Sequence, residues 1–349
     1  MAVNQDWVTA EAPSNIALIK YMGKTEASAN RPANASVSYT LDHLRTRVRV
    51  RFESGHPKPW IWRPLEAEGF HAPNLSVKGQ ERFLRHAERC AKRLEVRGEG
   101  SLVVESANGF PSDCGLASSA SSFAALTLAI AKLAGRDLEN PAFRLELAEL
   151  SREGSGSSCR SLFSPWSVWR AEGAAPIQGW PTSIRHLSLI VDDRKKQVSS
   201  SDAHVRVTTS LLFRGRVERA EERLRLLDDQ MKRASGVDGV HAWNRAAQLV
   251  WAESWDMHAL FESSEPPFGY FVPNSVLALN SIREISDEMK SESEKYREPM
   301  VTMDAGPNVH VLLWNGDAGA AADAEKFVMT LRERLGSSVD VIDSKGFKT

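Results

Sequence analysis

The chain has 349 residues, with 44 lysines and arginines against 45 aspartates and glutamates, for a formal net charge of −1. With 42% hydrophobic and 26% charged residues it has the profile of an ordinary globular protein. This excludes a disordered tail, a collagen-like chain and a polycationic nucleic-acid binder. Cys90, Cys114 and Cys159 are too few and too unpatterned for a disulfide framework or a four-ligand zinc site, so a reducing, cytoplasmic setting is expected. No apolar run approaches the roughly 18 residues that a membrane span needs, and the opening residues lack the apolar stretch of a secretory signal.

The elements follow from periodicity. Residues 34–53 alternate near their end, with Val48, Val50 and Phe52 facing one way and Arg47, Arg49 and Arg51 the other. That pattern predicts a half-buried strand with its arginines on a solvated face. Residues 78–97 place Phe83, Leu84, Ala87, Ala91 and Leu94 at helical spacing, and 101–106 make a short strand. Residues 118–132 are small and apolar on nearly every face, which predicts a buried helix closed by Gly135. Asn140 and Pro141 are a cap and first-turn pair that open a helix running to about Arg152. A Gly/Ser-rich turn over 153–163 leads into a short helix, and a strand is expected near 185–193. Beyond it, 203–234 and 239–262 read as long amphipathic helices, and 273–290 as a third that opens on Pro273. Strands at 299–304 and 308–314 flank Ala305-Gly306-Pro307, and a helix at 319–335 and a strand at 338–343 follow. There is no internal repeat. Strands with segregated helices predict an α+β chain of two lobes, with the boundary near 180–190.

Four segments carry residue types suited to chemistry. The loop at 111–121 puts glycine and small hydroxyl residues just ahead of a helix, where free backbone N–H groups and the helix dipole favour phosphate. Ser118 and Ser119 add hydroxyls that could donate or hold magnesium; taken alone, the segment also fits a tightly packed helix start. Residues 12–24 end on Lys20, Tyr21 and Lys24, where a lysine either faces solvent or neutralises an anion. Residues 154–161 offer turn amides, four hydroxyls and Arg160, which can grip a carboxylate or phosphate with two parallel bonds. Asp304 ends a strand before a Gly-Pro turn, as a turn cap or as a base.

Taken jointly, these segments resemble the GHMP small-molecule kinase superfamily, and within it the mevalonate diphosphate decarboxylases. The resemblance is carried by APSNIALIKYMGK (12–24), RPANASVSYTL (31–41), NGFPSDCGLASSASSFAAL (108–126), GSGSSCRSLF (154–163), KKQVSSS (195–201) and TMDAGPN (302–308), in the family's order. It implies a two-lobed GHMP-kinase-like α+β fold with the active site in the cleft between lobes, an ATP-binding lobe over 1–185 and a second lobe over 186–349. It also implies ATP and Mg2+ as cofactors, a phosphorylated hydroxy acid as substrate, no nucleic-acid or membrane partner, and a possible homodimer. The implied reaction phosphorylates the tertiary 3-hydroxyl of the mevalonate skeleton; phosphate and CO2 then leave. Asp304 would take or orient the hydroxyl proton, Arg160 would hold the substrate carboxylate, and Lys24 would neutralise phosphate. The substrate set is Tyr21, Met22, Gly23, Lys24, Arg82, Ser155, Gly156, Ser157, Ser158, Cys159, Arg160, Ser200 and Ser201. The nucleotide set is Ser106, Asn108, Pro111, Gly115, Leu116, Ala117, Ser118 and Ser119, with Ser118 and Ser119 on the metal.

The sequence departs from the family pattern at several of these places. Met22 stands for a tryptophan, Thr25 for a lysine or arginine, and Ala203-His204 for Gly-Met. Asp113 and Cys114 replace small residues, and Ser164-Pro165-Trp166 replaces a Gly-Gly turn. Thr25 and Asp113 make the cleft less positive than in its relatives. A mevalonate monophosphate or similar hydroxy acid, turned over by a related decarboxylase or 3-hydroxy kinase, is therefore the alternative, and a non-catalytic binding protein on the same fold is a third reading.

Overall fold

A computed structural model describes residues 6–26, 30–73, 75–110, 116–194 and 196–346. In chain order the first part contains β1 (Val8–Ile19), β2 (Lys24–Glu26), β3 (Arg31–Pro32), β4 (Ser36–Glu53), β5 (Trp60–Pro64), α1 (Val77–Arg93), β6 (Ser101–Asn108), α2 (Ser118–Leu133), α3 (Pro141–Gly154), a 3-10 turn (Gly156–Leu162), β7 (Trp166–Arg170) and β8 (Gly173–Pro176). The second part contains β9 (Ile184–Ile190), α4 (Ser200–Arg206), α5 (Arg216–Arg233), α6 (Gly239–Glu262), α7 (Pro273–Glu292), β10 (Met300–Thr302), β11 (Val309–Trp314), α8 (Ala318–Leu335) and β12 (Asp340–Asp343). One large sheet runs β5-β6-β4-β7-β8 with β1 paired to β4, a second runs β10-β11-β9-β12, and β2 and β3 form a small two-stranded sheet.

The long strand β4 organises the first sheet. Its start pairs with β7 and its end with β6, while β1 runs antiparallel beside it from Val8↔Val50 to Ile19↔Val37. The alternation of 48–52 holds: Val48 and Val50 are fully buried against α1 and α2. The arginine face is only half solvated. Arg47 stacks on Phe70 at 4.2 Å, Arg49 and Arg51 stack on Trp7 at 4.4 and 4.3 Å, and all three pair with glutamates. Strand-borne guanidiniums thus cover aromatic faces instead of facing bulk water. Helix α2 is buried on nearly every side because Ala120, Ala124, Ala125 and Ala131 present almost no side-chain volume to the sheet. It ends, as expected, at Gly135 with φ +69°.

The expected single helix over 203–234 is broken. The chain forms α4, then 3-10 turns over 207–209 and 211–213, then α5. Ser210 is extended and its hydroxyl accepts from the Leu212 amide at 3.1 Å, and Gly215 lies at φ +76°. A short hydroxyl side chain that bonds the backbone locally competes with the helix, and glycine alone enters the left-handed region at no cost. The break delivers Phe213 onto Gly23, where an added Cβ would lie 2.7 Å from its ring.

The two sheets share a core. Ile16, Leu18 and Leu41 of the first pack with Trp243 and Val250 of α6 and with Leu312 of β11. Inside this junction Arg216 of α5 and Glu253 of α6 form an ion pair with neither side chain exposed. Both grip one residue: Glu253 Oε1 accepts the Lys20 N–H at 2.9 Å, and Arg216 Nη2 donates to the Lys20 carbonyl at 3.0 Å.

Burial also keeps several histidines neutral. It lowers His43 to about 4, and His86, His204 and His258 each to about 3. Their unfolded values lie near 6.5, so below that pH the unfolded chain binds more protons and stability falls, by about 1.4 kcal/mol per pH unit for each histidine. We expect urea unfolding to show stability constant near pH 7–8 and dropping steeply from pH 6.5 to pH 5; a flat profile over that range would contradict the burial of these rings.

Candidate active site

The end of β1, the start of α2, the 3-10 turn, α4 and the loop after β10 converge on one cavity of about 260 Å³. At its floor, Lys20 Nζ donates to Asp304 Oδ1 at 2.7 Å; the lysine is 1% exposed, whereas the carboxylate is 26% exposed and opens to the cavity. Burial alone would raise the Asp304 pKa, but the Lys20 ammonium overrides it and the group lies below the usual carboxylate range. The Arg216–Glu253 pair holds the Lys20 backbone, so the position of this charge is fixed from α5 and α6.

Facing Asp304 are cations held only by neutral groups. Arg160 is 3% exposed; its Nε donates to Ser38 Oγ at 3.0 Å, its Nη1 to Ser36 Oγ at 2.7 Å, and it lies 5.8 Å over the Trp169 ring. Lys24 Nζ donates to Asn30 Oδ1 at 2.7 Å, and Arg82 donates twice to the Gly154 carbonyl, at 3.2 and 2.7 Å. Among the described residues none of the three has a carboxylate within ion-pair distance. Burial lowers the pKa of each, and the Arg82 charge lowers Lys24 further. Desolvated cations without a counter-charge are costly, and an anionic ligand relieves that cost.

The third component is the start of α2. Ala117 turns at φ +52° and no side chain caps the helix, whose first residues Ser118 and Ser119 line the cavity. Ser155 Oγ donates to Ser119 Oγ at 3.5 Å and ties this helix end to the 3-10 turn. Hydroxyls and amides suit a triphosphate and a hard cation. Among the described residues no group of three or more His, Cys, Asp or Glu could hold a metal. Ser118 and Ser119 are the hydroxyls that would hold magnesium here beside nucleotide phosphates and water.

The cavity brings together Tyr21, Met22, Lys24 and Arg82; Ser155, Gly156, Ser157 and Arg160; Ser200, Ser201 and Asp304; and Ala117, Ser118 and Ser119. Other expected site residues do not line it. Ser158 is fully buried and donates to carbonyls of Ser151 and Ser155, and the buried Cys159 thiol donates to the Gly156 carbonyl. They shape the turn that presents Arg160. Leu116 is core, and Gly23 acts through its backbone. Ser106 Oγ accepts from Trp62 Nε1 and Asn108 Oδ1 from Thr46 Oγ1, inside the sheet. Pro111 and Gly115, like Asp113 and Cys114, lie outside the described residues.

The structure adds residues that the candidate set lacks: Lys20, Asn30, Lys196, Ser199 and His204 also line the cavity. Lys20 sits in the opening motif, but only its partner on the far sheet marks it as functional. Lys196 Nζ reaches Ser200 Oγ and the Ala305 carbonyl, both at 2.8 Å, so it bridges α4 and the Asp304 loop.

Comparison with known proteins places this geometry. Residues 12–176 match the model of the diphosphomevalonate decarboxylase-like N-terminal domain, and residues 186–342 that of the mevalonate 5-diphosphate decarboxylase C-terminal domain. The diphosphomevalonate decarboxylase of Debaryomyces hansenii is 31% identical over 319 residues, covering 86% of this chain and 77% of that protein. The crystal structure of a mevalonate diphosphate decarboxylase from Legionella pneumophila superposes with a TM-score of 0.79 at 37% identity, over 97% of this chain and 100% of that one. A solved complex of MDDEF with MVAPP, AMPPCP and magnesium superposes with a TM-score of 0.77 at 27% identity, over 99% of this chain and 100% of that one. The two-lobed GHMP-kinase-like fold and the sequence thus agree, and the chain belongs to the mevalonate diphosphate decarboxylase family.

Proposed function

We propose that the protein catalyses the ATP-dependent decarboxylation of mevalonate 5-diphosphate to isopentenyl diphosphate, releasing ADP, phosphate and CO2. One juxtaposition carries the reading: a carboxylate kept charged by Lys20 faces three cations that have no carboxylate of their own among the described residues. The names of the family's members and the MVAPP and AMPPCP complex of a structural relative support it. The reading also assigns residues 1–185 to an ATP-binding lobe and 186–349 to a second lobe, and it takes the enzyme as a cytoplasmic homodimer. No helix among the described residues is long and apolar enough to cross a membrane.

A tertiary alcohol is a poor nucleophile. Asp304 accepts the 3-hydroxyl proton, or orients it, as the oxygen attacks phosphorus. Lys20 keeps the carboxylate ionised and aimed. Lys24 and Arg82 bind the 5-diphosphate end, and Tyr21, Ser155 and Ser157 border it. The amides and hydroxyls at the start of α2 hold the triphosphate in line with the hydroxyl, which is most of what phosphoryl transfer asks of a protein. Ser118 and Ser119 would hold magnesium, which when bound would neutralise charge on the phosphate oxygens. Arg160 holds the substrate carboxylate through the guanidinium N–H groups that Ser36 and Ser38 leave free and orients the bond to be cleaved until CO2 departs.

Three outcomes follow. Asp304→Asn keeps nucleotide binding near wild type but lowers turnover by about 10³-fold or more, read as CO2 release, and it lowers the melting temperature because the buried Lys20 loses its counter-charge. Run on mevalonate, its 5-phosphate and its 5-diphosphate side by side, the same assay favours the diphosphate; preference for the monophosphate, or release from none, would overturn the substrate. Lys20→Met leaves Asp304 buried without its cation, so its pKa rises. The base is active only when ionised, so the acid limb of kcat moves to higher pH by about one unit or more. An unshifted limb would leave Lys20 a packing residue.

A further inference from the structure

The cleft contains a residue that the mechanism above does not use. His204 lies on α4 with its ring 4.2 Å from that of Tyr21, and it lines the cavity with Lys24, Arg82, Ser200 and Ser201. The Gly23 N–H donates to His204 Nδ1 at 3.1 Å. A ring nitrogen that accepts a hydrogen bond carries no proton, so the proton of the neutral ring sits on Nε2. The ring stays neutral because burial, and then the Lys24 charge, lower its pKa to about 3. The Gly23 amide is the one hydrogen-bond partner of the ring among the described residues, and the buried Tyr21 hydroxyl against which the ring packs has none. Two neighbouring hydroxyls already have partners. Ser199 Oγ donates to Asp202 at 2.7 Å, and Ser200 Oγ accepts from Lys196 Nζ.

We propose that His204 is a specificity-determining residue whose Nε2–H donates to the phosphate end of the substrate. This rests on the reading of the cleft as a site for a phosphorylated hydroxy acid. A third full charge beside Lys24 and Arg82 would repel both, whereas a neutral N–H adds a directional bond to a phosphate oxygen without that penalty. The family pattern has a methionine here, which offers no donor. Thr25, expected to make the cleft less positive, is exposed on β2 and does not line the cavity.

Two substitutions separate this role from a structural one. His204→Asn keeps an oxygen near the Nδ1 position to accept from Gly23 but removes the Nε2–H. His204→Gln places a side-chain N–H near Nε2 and gives up the acceptor. Wild type must first release CO2 from mevalonate 5-diphosphate; failure there sinks the reading of the reaction, not this assignment alone. Calorimetry with mevalonate 5-diphosphate and steady-state kinetics then read Kd, KM and kcat. We expect His204→Asn to raise Kd and KM about 10- to 100-fold with kcat within a few-fold, the size of one lost hydrogen bond to a charged group. His204→Gln should restore both to within about threefold. Wild-type affinity in His204→Asn, or greater damage in His204→Gln than in His204→Asn, would overturn the proposal and leave His204 a support for Gly23.

Discussion

A charged nitrogen taken out of water needs an anion, and the junction of the two sheets contains three such cations. Arg216 is neutralised by Glu253, and Lys20 by Asp304. Arg160, at 3% exposed, has only the hydroxyls of Ser36 and Ser38. The first two pairs are linked, because Arg216 and Glu253 together hold the Lys20 peptide. The first pair therefore sets the second, and the second sets where the Asp304 carboxylate meets the cleft. The third cation is left for an anion that arrives from outside. Nearly everything else in the fold serves to keep that arrangement dry and rigid: a small-residue helix pressed on the sheet, a turn stiffened by Ser158 and Cys159, and a shared core.

The near-zero net charge hides this. Positive charge concentrates at Lys24, Arg82 and Arg160, while acidic residues such as Glu11, Glu222 and Glu288 pair with arginines away from the cleft. A cleft of cations inside a neutral protein attracts a polyanion locally without making the whole surface bind anions. Electrostatic complementarity of this kind sets where the phosphates lie, and directional donors such as hydroxyls and ring N–H groups can then discriminate one phosphorylated acid from another.

Much of this was legible in the sequence where one short segment holds the cause. The all-round small residues of 118–132 identify a buried helix, Asn140-Pro141 marks a helix start, and the Gly/Ser-rich stretch leads into a short helical turn that carries Arg160. Legibility fails where the cause lies far along the chain. Lys20 reads as one more lysine until residues 216, 253 and 304 close around it. The arginines of β4 read as solvated because the tryptophan that covers them is Trp7, about forty residues earlier. The broken helix over 203–234 turns on Ser210 and Gly215, whose local bonding competes with a pattern that is otherwise helical. His204 is visible as a departure from the family pattern, but its tautomer depends on the Gly23 amide and could not be read from composition.

The most direct test of this account is to compare thermal unfolding of the wild type and Arg160→Met, each without ligand and with saturating mevalonate 5-diphosphate. If the buried guanidinium is a cation waiting for an anion, the ligand-free variant melts at or above the wild-type temperature, since a desolvated charge has been replaced by an apolar chain of similar length. The ligand-induced rise seen in the wild type is then largely lost. A ligand-free variant that melts far lower yet keeps the full ligand-induced rise would contradict the account, because Arg160 would then hold the fold together and not the substrate.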